Sequence, residues 1–333
     1  MLTYVERRLL LLIPVLLGIT LLVFAALSLA ADPTGVILGQ HATPEKMEEL
    51  RQMLGLDQPV YVQYLRFLSH AVRGDLGSSW LTRVPVTQEV LTRFPHTIEL
   101  TLVSILLAVL CGVTVGVISA VKQYSAIDHA GMVGALAGVS TPIFWLGLML
   151  IALFSVKWKL LPVSGRIDLT LGIDTRTNFY LLETLVRGDW IGFRSALAHL
   201  VLPSVALAAY STALIARMTR SSLLDVIRQD YIRTARAKGL AERVVIYKHA
   251  LKNALIPVTT VIGLQVGALL GGAVLTETVF SLPGVGGLAV TAIQNGDYPL
   301  VNGVVLLVAT VFVLVNLVVD VLYAFLDPRI RYS

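Results

Sequence analysis

Charged residues are scarce in this sequence. Asp, Glu, Lys and Arg make up 14% of its 333 residues, against about 25% in soluble globular domains. Hydrophobic residues make up 56% and are concentrated in long runs. A helix needs about 20 consecutive apolar residues to cross a hydrocarbon core of roughly 30 Å. The composition therefore argues against a soluble globular protein and predicts a membrane protein with several spans.

Residues and motifs of catalytic or metal-binding sites are also scarce. Cys111 is the only cysteine, so no intrachain disulfide can form, and the six histidines are scattered without the spacing of a zinc site. The sequence contains no G-x-x-x-x-G-K-[ST] phosphate loop, no H-E-x-x-H and no G-x-S-x-G. We therefore expect no catalytic residue, no metal site and no cofactor held by this chain.

Long apolar runs predict six membrane-spanning helices. Their approximate bounds are Leu9–Ala31, Ile98–Val121, Gly131–Val156, His199–Ala216, Leu255–Thr276 and Val301–Leu326. The first run follows a basic pair, as in a signal peptide. It is longer than the roughly 7–15 residues of a signal-peptide core and lacks a clear cleavage site, so we expect a retained span. The predicted fold class is an all-α, polytopic integral membrane protein.

The distribution of Lys and Arg sets the expected orientation. The basic side consists of the N-terminus, the turn 122–130, the loop 217–254 and the C-terminal tail. The opposite side, formed by the longer segments 32–97, 157–198 and 277–300, has fewer basic residues. Because Lys and Arg are enriched in cytoplasmic loops, both termini are predicted to be cytoplasmic. A net charge of +5 distributed in this way argues against a nucleic-acid groove.

Three regions follow from these spans. Residues 1–31 hold the N-terminal segment and first span, residues 32–97 form an extracytoplasmic helical segment, and residues 98–333 form the core with the other five spans. In the second region Thr43, Pro44 and Glu45 are typical of a helix start, and Gly55 of its end. A second amphipathic stretch covers Pro59–Leu68.

Small residues recur every four positions in two spans. They are Ala108, Gly112 and Gly116 in the second span and Gly263, Gly267 and Gly271 in the fifth. Such spacing lets helix backbones approach closely, and we favour packing within the chain over a pore lining.

Other unusual residues lie within the spans. Pro142 predicts a bend in the third span. Gln265, Asn316 and Asp320 are expected to hydrogen-bond between helices rather than to form a proton relay.

The basic loop, residues 217–254, is the most informative segment. Ser222 and Asp225 resemble a capping box that starts a helix. Apolar residues at four-residue spacing predict one buried stripe on this short helix, made of Leu223, Ile227, Tyr231 and Ala235. Gly239 is expected to end it, and a second helix to run through Val244, Lys248 and Leu251 into the next span. Such a helix suits a lipid surface, a groove on a partner protein, or its own bundle.

Two stretches of the basic loop resemble a known family. They are Tyr-Ile-Arg-Thr-Ala-Arg-Ala-Lys-Gly-Leu at 231–240 and His-Ala-Leu-Lys-Asn-Ala-Leu-Ile-Pro at 249–257. Together they are similar to the cytoplasmic loop of binding-protein-dependent ABC permeases. The general family pattern begins Glu-Ala-Ala and has Gly four residues after the last Ala. Here Arg233, Thr234, Ala235 and Gly239 stand at those positions, a departure shared by the dipeptide, oligopeptide and nickel group.

The resemblance extends along nearly the whole chain. It includes the basic pair at 7–8, Leu-Gly-Leu-Asp-Gln-Pro at 54–59, Gly-Asp-Leu-Gly-Ser at 74–78, Thr-Glu-Thr-Val-Phe-Ser-Leu-Pro-Gly-Val-Gly at 276–286 and Asp-Pro-Arg-Ile-Arg-Tyr at 327–332. Pro-Val-Ser-Gly-Arg at 162–166 and the long segment after it resemble the dipeptide type within the group, and more specifically its B-type permeases.

The resemblance implies a type I ABC importer fold in the bacterial cytoplasmic membrane. It also implies four partners: a homologous second permease, two cytoplasmic ATPase subunits that bind ATP and Mg, and an extracytoplasmic substrate-binding protein. Family members dock a short helix of this loop onto the ATPase. The positions carried over for that role, here called the coupling segment, are Tyr231, Ile232, Arg233, Thr234, Ala235, Arg236, Ala237, Lys238, Gly239 and Leu240.

The expected cargo is dipeptides or short peptides. Relatives that carry nickel, glutathione, haem or antimicrobial peptides share the loop and remain alternatives. A proton-coupled carrier would need inverted repeats and midplane acids, and an intramembrane protease would need paired catalytic residues. Neither pattern is found in the sequence.

Overall fold

The computed structural model describes residues 2–29 and 32–326. This part of the chain is almost entirely helical and contains no β-strand. The helices of the first half are α1 Leu2–Leu29, α2 Pro33–Leu38, α3 Pro44–Leu54, α4 Val60–Ala71, α5 Val86–Val121, α6 Ala126–Ser140 and α7 Ile143–Leu150. Those of the second half are α8 Tyr180–Arg187, α9 Trp190–Ile227, α10 Asp230–Ala237, α11 Glu242–Val244, α12 Leu251–Val279, α13 Val285–Gln294 and α14 Tyr298–Leu326. The predicted all-α class is confirmed.

Among the described residues, five helices are long and apolar enough to span a membrane. They are Leu10–Leu29, Val86–Val121, Trp190–Ile227, Glu242–Val279 and Tyr298–Val318. A sixth span is formed if α6 and the helix Ile143–Lys157, which bend by 108° at the break between them, are counted together. The predicted six spans therefore correspond to five continuous helices and one broken pair.

Pro142 marks the break in that pair. Its backbone is extended, with φ −59° and ψ 134°, and α7 begins at the next residue. Proline cannot donate the hydrogen bond that would continue α6, and its ring crowds the preceding turn. The predicted position is confirmed, but the helix is interrupted there rather than merely bent.

Helix α3 begins and ends as the sequence indicates, whereas α2 was not predicted and α5 begins at Val86 rather than at Ile98. The Thr43 hydroxyl accepts a hydrogen bond from the Lys46 amide at 3.4 Å, and Pro44 is the first residue of α3. Gly55 follows α3 in the left-handed conformation, at φ 70°. These two caps fix both ends of an exposed helix that has no buried residue of its own.

The described chain forms two compact units. The first comprises the residues before 98 together with 283–314, and the second comprises 98–282 and the residues from 315. The first unit has its own apolar core, to which α5, α13 and α14 contribute the buried residues Val86, Val90, Val285, Leu288, Val301 and Val304.

The second unit packs α5, α6, α7, α9 and α12 around several apolar clusters. A Cβ added at Gly116 would lie 2.5 Å from Thr219 Cβ, and one at Gly112 would lie 2.8 Å from Ile215 Cγ2. The backbones of α5 and α9 can approach this closely only because both positions are glycine. Packing within the chain is confirmed for these two glycines, whereas Gly271 has no neighbour within 4 Å of its Cβ position.

Two pairs of polar side chains inside the second unit join neighbouring helices. The Ser211 hydroxyl of α9 donates to Gln265 Oε1 of α12 at 2.9 Å, which confirms the expected role of Gln265. Arg220 of α9 binds both carboxylate oxygens of Asp128 in α6 at 2.7 Å. The side chain of Asp320 and the motif at 327–332 lie outside the described residues.

Candidate functional site: the basic loop

Helix α9 extends well into the basic loop and ends only at Ile227. Ser222 is therefore inside a helix, and its hydroxyl donates to the carbonyl oxygen of Ala254 at 2.8 Å in the buried interior. The capping box predicted at Ser222 and Asp225 is wrong. The Ser-x-x-Asp pattern describes only local chemistry, whereas burial against the start of α12 decides the conformation here.

The coupling segment begins after a short turn at Arg228 and Gln229. Helix α10 covers Asp230–Ala237, and Gly239 follows at φ 75°. The Gly239 amide donates to Arg236 O at 2.9 Å, and the Leu240 amide donates to Ala235 O at 3.4 Å. These bonds close the helix end around a left-handed residue, which glycine adopts without steric cost. The predicted stop at Gly239 is confirmed.

One face of α10 is buried. Ile232 is fully buried and Ala235 is 9% exposed. They join a cluster contributed by the ends of α5 and α9 and by the segment leading into α12, with Val117, Ala120, Leu223, Val245, Ala250 and Ala254 as its other buried members. Helix α10 is therefore packed against the ends of α5 and α9 and against the start of α12.

The apolar stripe predicted for a single helix is wrong. Leu223 and Ile227 belong to α9, and Tyr231 is 43% exposed. The turn at 228–229 breaks the helix, so residues at four-residue spacing on its two sides do not share one face. The buried positions of α10 are Ile232 and Ala235, three residues apart. Ala235 is the only member of the predicted stripe that is buried on α10.

Two polar contacts tie α10 to the chain that follows it. The Tyr231 hydroxyl accepts a hydrogen bond from Asn253 Nδ2 at 2.7 Å. The Arg236 guanidinium binds the Glu242 carboxylate through two hydrogen bonds, of 3.1 Å from Nε and 2.6 Å from Nη2. The hydrogen bonds to Glu242 raise the pKa of Arg236 above its ordinary value. Sequence reasoning missed both Asn253 and Glu242, because nothing in the linear pattern pairs them with α10.

A stretch after α10 is wound as a π-helix. This stretch, Val245–Ala250, links α11 to α12, so helical structure runs without interruption from Glu242 to Val279. The expected second helix through Val244, Lys248 and Leu251 into the next span is confirmed. Single π turns within α-helices are often found at functional sites.

The outer face of the coupling segment is exposed. Its exposed residues include Arg233, Thr234, Ala237, Lys238 and Leu240. The ion pair from Arg233 to Asp230 is 3.5 Å long and lies on side chains that are 76% and 95% exposed, so it adds little stability. This face carries basic and small residues on a helix whose other face is fixed, and such an arrangement suits docking against a partner rather than catalysis.

The chain matches two related family descriptions. Residues 112–332 match the binding-protein-dependent transport system inner membrane component, and residues 1–101 match the N-terminal region of membrane components of such systems. The solved structure of the MetNI methionine ABC transporter in inward-facing conformations matches with a TM-score of 0.52 and 19% identity, covering 69% of this chain and 93% of that one. This likeness supports the permease fold.

Curated relatives match over their full length. The di/tripeptide transport system permease of Pseudomonas aeruginosa is 51% identical, and the dipeptide transport system permease of Escherichia coli K12 is 49% identical. The glutathione transport system permease of Salmonella paratyphi A is 44% identical. In each case the alignment covers 100% of both chains. The chain therefore belongs to the binding-protein-dependent transport system inner membrane components, the permease subunits of ABC importers.

Proposed function

We propose that this chain is the permease that carries dipeptides and short peptides across the membrane in an ATP-driven importer. The cargo is inferred from the two relatives at 51% and 49% identity, which are peptide permeases over their whole length. The observation that carries the mechanism is the geometry of α10, which has one face exposed and the other packed against the ends of the spans.

The coupling segment transmits the ATPase movement. The exposed face of residues 231–240 docks on an ATPase subunit, and closure of the ATPases displaces α10 as a rigid body. Ile232 and Ala235 transfer that displacement to the ends of α5 and α9 and to the start of α12. They can do so because closely packed apolar side chains are hardly compressible. The bundle then changes between inward and outward access, as expected of a two-state rigid-body transition.

The partners complete the machine. A homologous permease forms the second half of the pathway, two cytoplasmic ATPases bind ATP and Mg, and an extracytoplasmic binding protein delivers the peptide. This chain is no enzyme by itself, which agrees with the missing phosphate-loop motif. It lies in the bacterial cytoplasmic membrane with both termini in the cytoplasm, as the distribution of Lys and Arg indicates.

Uptake in cells tests the cargo. Cells lacking this chain, with and without its re-expression, are given a radiolabelled dipeptide, and a parallel set is depleted of ATP. We expect re-expression to restore dipeptide uptake and ATP depletion to abolish it. Failure to restore dipeptide uptake, with the chain present in the membrane, would refute the cargo.

Glutathione is the second candidate, because a glutathione permease is 44% identical over the full length. The same cells are therefore given glutathione and nickel in parallel. Restored uptake of either one without dipeptide uptake would keep the ABC permease and change its cargo. A wrong cargo can be told apart from a wrong transporter class, because the uptake of each substrate is measured separately in the same strain.

A further inference from the structure

Helix α8 has three distinct faces. At 3.6 residues per turn, Leu182, Leu185 and Val186 fall within an arc of about 100°, and Glu183 and Arg187 lie on another side. The three apolar side chains are 57%, 44% and 78% exposed. The helix thus presents a contiguous apolar face that no other described part of the chain covers.

The inner face of α8 is fixed to the bundle. Thr184 is 1% exposed, and Leu181 packs against the cluster formed by α5, α9 and α12. At the start of the helix, the Glu99 carboxylate of α5 accepts hydrogen bonds from the amides of Leu181 at 2.7 Å and Leu182 at 3.4 Å. A carboxylate at a helix N-terminus also interacts favourably with the helix dipole. The exposed face therefore cannot be buried by simple rotation of α8.

A second contact at Glu99 strengthens this attachment. Arg166 approaches the same carboxylate to 3.9 Å, and its guanidinium lies 4.4 Å from the centre of the Tyr180 ring. Arg166 also donates a hydrogen bond to the carbonyl oxygen of Asn178, just before the helix. Glu99 stands next to Ile98, where the apolar part of α5 begins. The start of α8 is thus held beside the start of the apolar part of α5.

The other end of α8 leads directly into a membrane-spanning helix. Gly188 turns the chain at φ 71°, and the Asp189 side chain caps α9 by accepting from the Gly192 amide at 3.0 Å. The first two residues of α9, Trp190 and Ile191, are 67% and 70% exposed. Tryptophan is enriched at the boundary between lipid and water.

The span before α8 is also followed by an exposed aromatic residue. The broken span ends at Lys157, and Trp158 follows with 49% exposure. Lysines beside such a tryptophan can keep their stems in lipid and their ammonium groups in water. The segment therefore starts and finishes near the same membrane surface.

We propose that the face of α8 made by Leu182, Leu185 and Val186 lies in the interfacial region of the lipid bilayer. The occupant is lipid rather than protein because α8 is fixed at its start to α5 and leads at its end into α9, both membrane-spanning helices. Two more exposed apolar residues, Trp190 and Ile191, also follow the helix in the chain. The polar side of the helix, with the ion pair of Glu183 and Arg187, faces water. Amphipathic helices of this kind insert their apolar face about 5–10 Å into the headgroup and acyl boundary.

The test places a fluorescent probe on this face in the assembled transporter. Cys111, the only cysteine of the chain and an exposed one, is first replaced in C111S. Val186→Cys is then labelled with a polarity-sensitive dye in lipid nanodiscs, and labelling of the C111S complex alone is subtracted. Arg176→Cys is the matched control, because Arg176 is exposed, polar and in the same segment.

Lipids with a nitroxide near the headgroup distinguish the outcomes. We expect these lipids to lower the fluorescence of the probe at position 186 by at least roughly twofold, because an interfacial helix lies at the shallow depth of the nitroxide. The fluorescence of the probe at position 176 should stay nearly unchanged. Quenching by aqueous iodide that is equal at both positions would overturn the proposal. Protection of the probe at position 186 from iodide without quenching by the lipids would also overturn it and would assign the face to a partner permease. Protection from iodide that begins only when the binding protein is added would overturn it as well.

A second position guards against a variant that does not assemble. Leu185→Cys lies on the same face and is measured in the same way. Lipid quenching at position 185 would support the proposal, and its absence in an assembled complex would overturn it. The lipid contact does not depend on which molecule is transported, so its failure would leave the proposed peptide cargo untouched.

Discussion

Single glycines set the distance between α5 and α9. A methyl group at position 116 would lie 2.5 Å from Thr219 Cβ and 2.6 Å from the Ala216 carbonyl oxygen, so Gly116→Ala forces the helices apart. Overpacking of this kind costs roughly 1–3 kcal/mol, and we expect a lower unfolding temperature of the detergent-solubilised complex. Gly134→Ala in α6 is the control, because nothing lies within 4 Å of its Cβ position. Equal stability of the two variants would contradict the close approach.

Residue patterns that depend on local chemistry were predictable, and those that depend on tertiary contacts were not. Thr43 and Gly55 cap α3 as expected, because a hydroxyl and a left-handed glycine act within one turn of the chain. Ser222 is part of an equally good local pattern, but its hydroxyl donates a hydrogen bond to the carbonyl oxygen of Ala254, 32 residues later. No spacing rule indicates such a partner.

At the scale of the element, the end of α10 depends on Gly239. Its φ of 75° strains a β-branched side chain, so Gly239→Val is expected to change the exit from the coupling helix and to reduce transport while leaving the protein in the membrane. Asparagine tolerates this conformation better than other residues. Gly239→Asn should therefore retain most of the uptake that Gly239→Val loses. Wild-type uptake by Gly239→Val would refute the coupling role of residues 231–240.

The ion pair between Arg236 and Glu242 gives a second test of the coupling element. Its side chains are 40% and 55% exposed, so the pair adds only about 0.2–1 kcal/mol and the unfolding temperature should hardly change. If the pair transmits movement to α12, Arg236→Glu and Glu242→Arg alone should each raise the ATP hydrolysed per peptide imported. The double exchange should bring that ratio back towards the wild-type value. An unchanged ratio in both single variants would show that the apolar contacts of Ile232 and Ala235 suffice.

The turn at 228–229 shows why the basic loop was only partly foreseen. The end of α10 before Gly239 follows from the backbone preference of glycine. The continuation of the loop into α12 follows from an uninterrupted apolar sequence. The beginning of α10 could not be predicted in this way. Leu223, Ile227, Tyr231 and Ala235 keep a regular four-residue spacing across two different helices. Periodicity cannot reveal a break that preserves the period.

At the scale of the whole molecule, hydropathy gave the number and order of the membrane spans. It could not give their lengths, since α9 runs for 38 residues and extends beyond the predicted span His199–Ala216 at both ends. It also could not show that the third span is broken by 108° at Pro142, because a proline in an apolar run is compatible with either a kink or a break.

The central claim is that this permease couples ATP hydrolysis to peptide import. It is tested most directly in vesicles that contain the purified complex, with the binding protein outside and ATP inside, by measuring entry of a labelled dipeptide. We predict uptake that requires both the binding protein and hydrolysable ATP and that falls sharply with Gly239→Val in this chain. Uptake that proceeds without ATP and follows an imposed proton gradient would contradict the account.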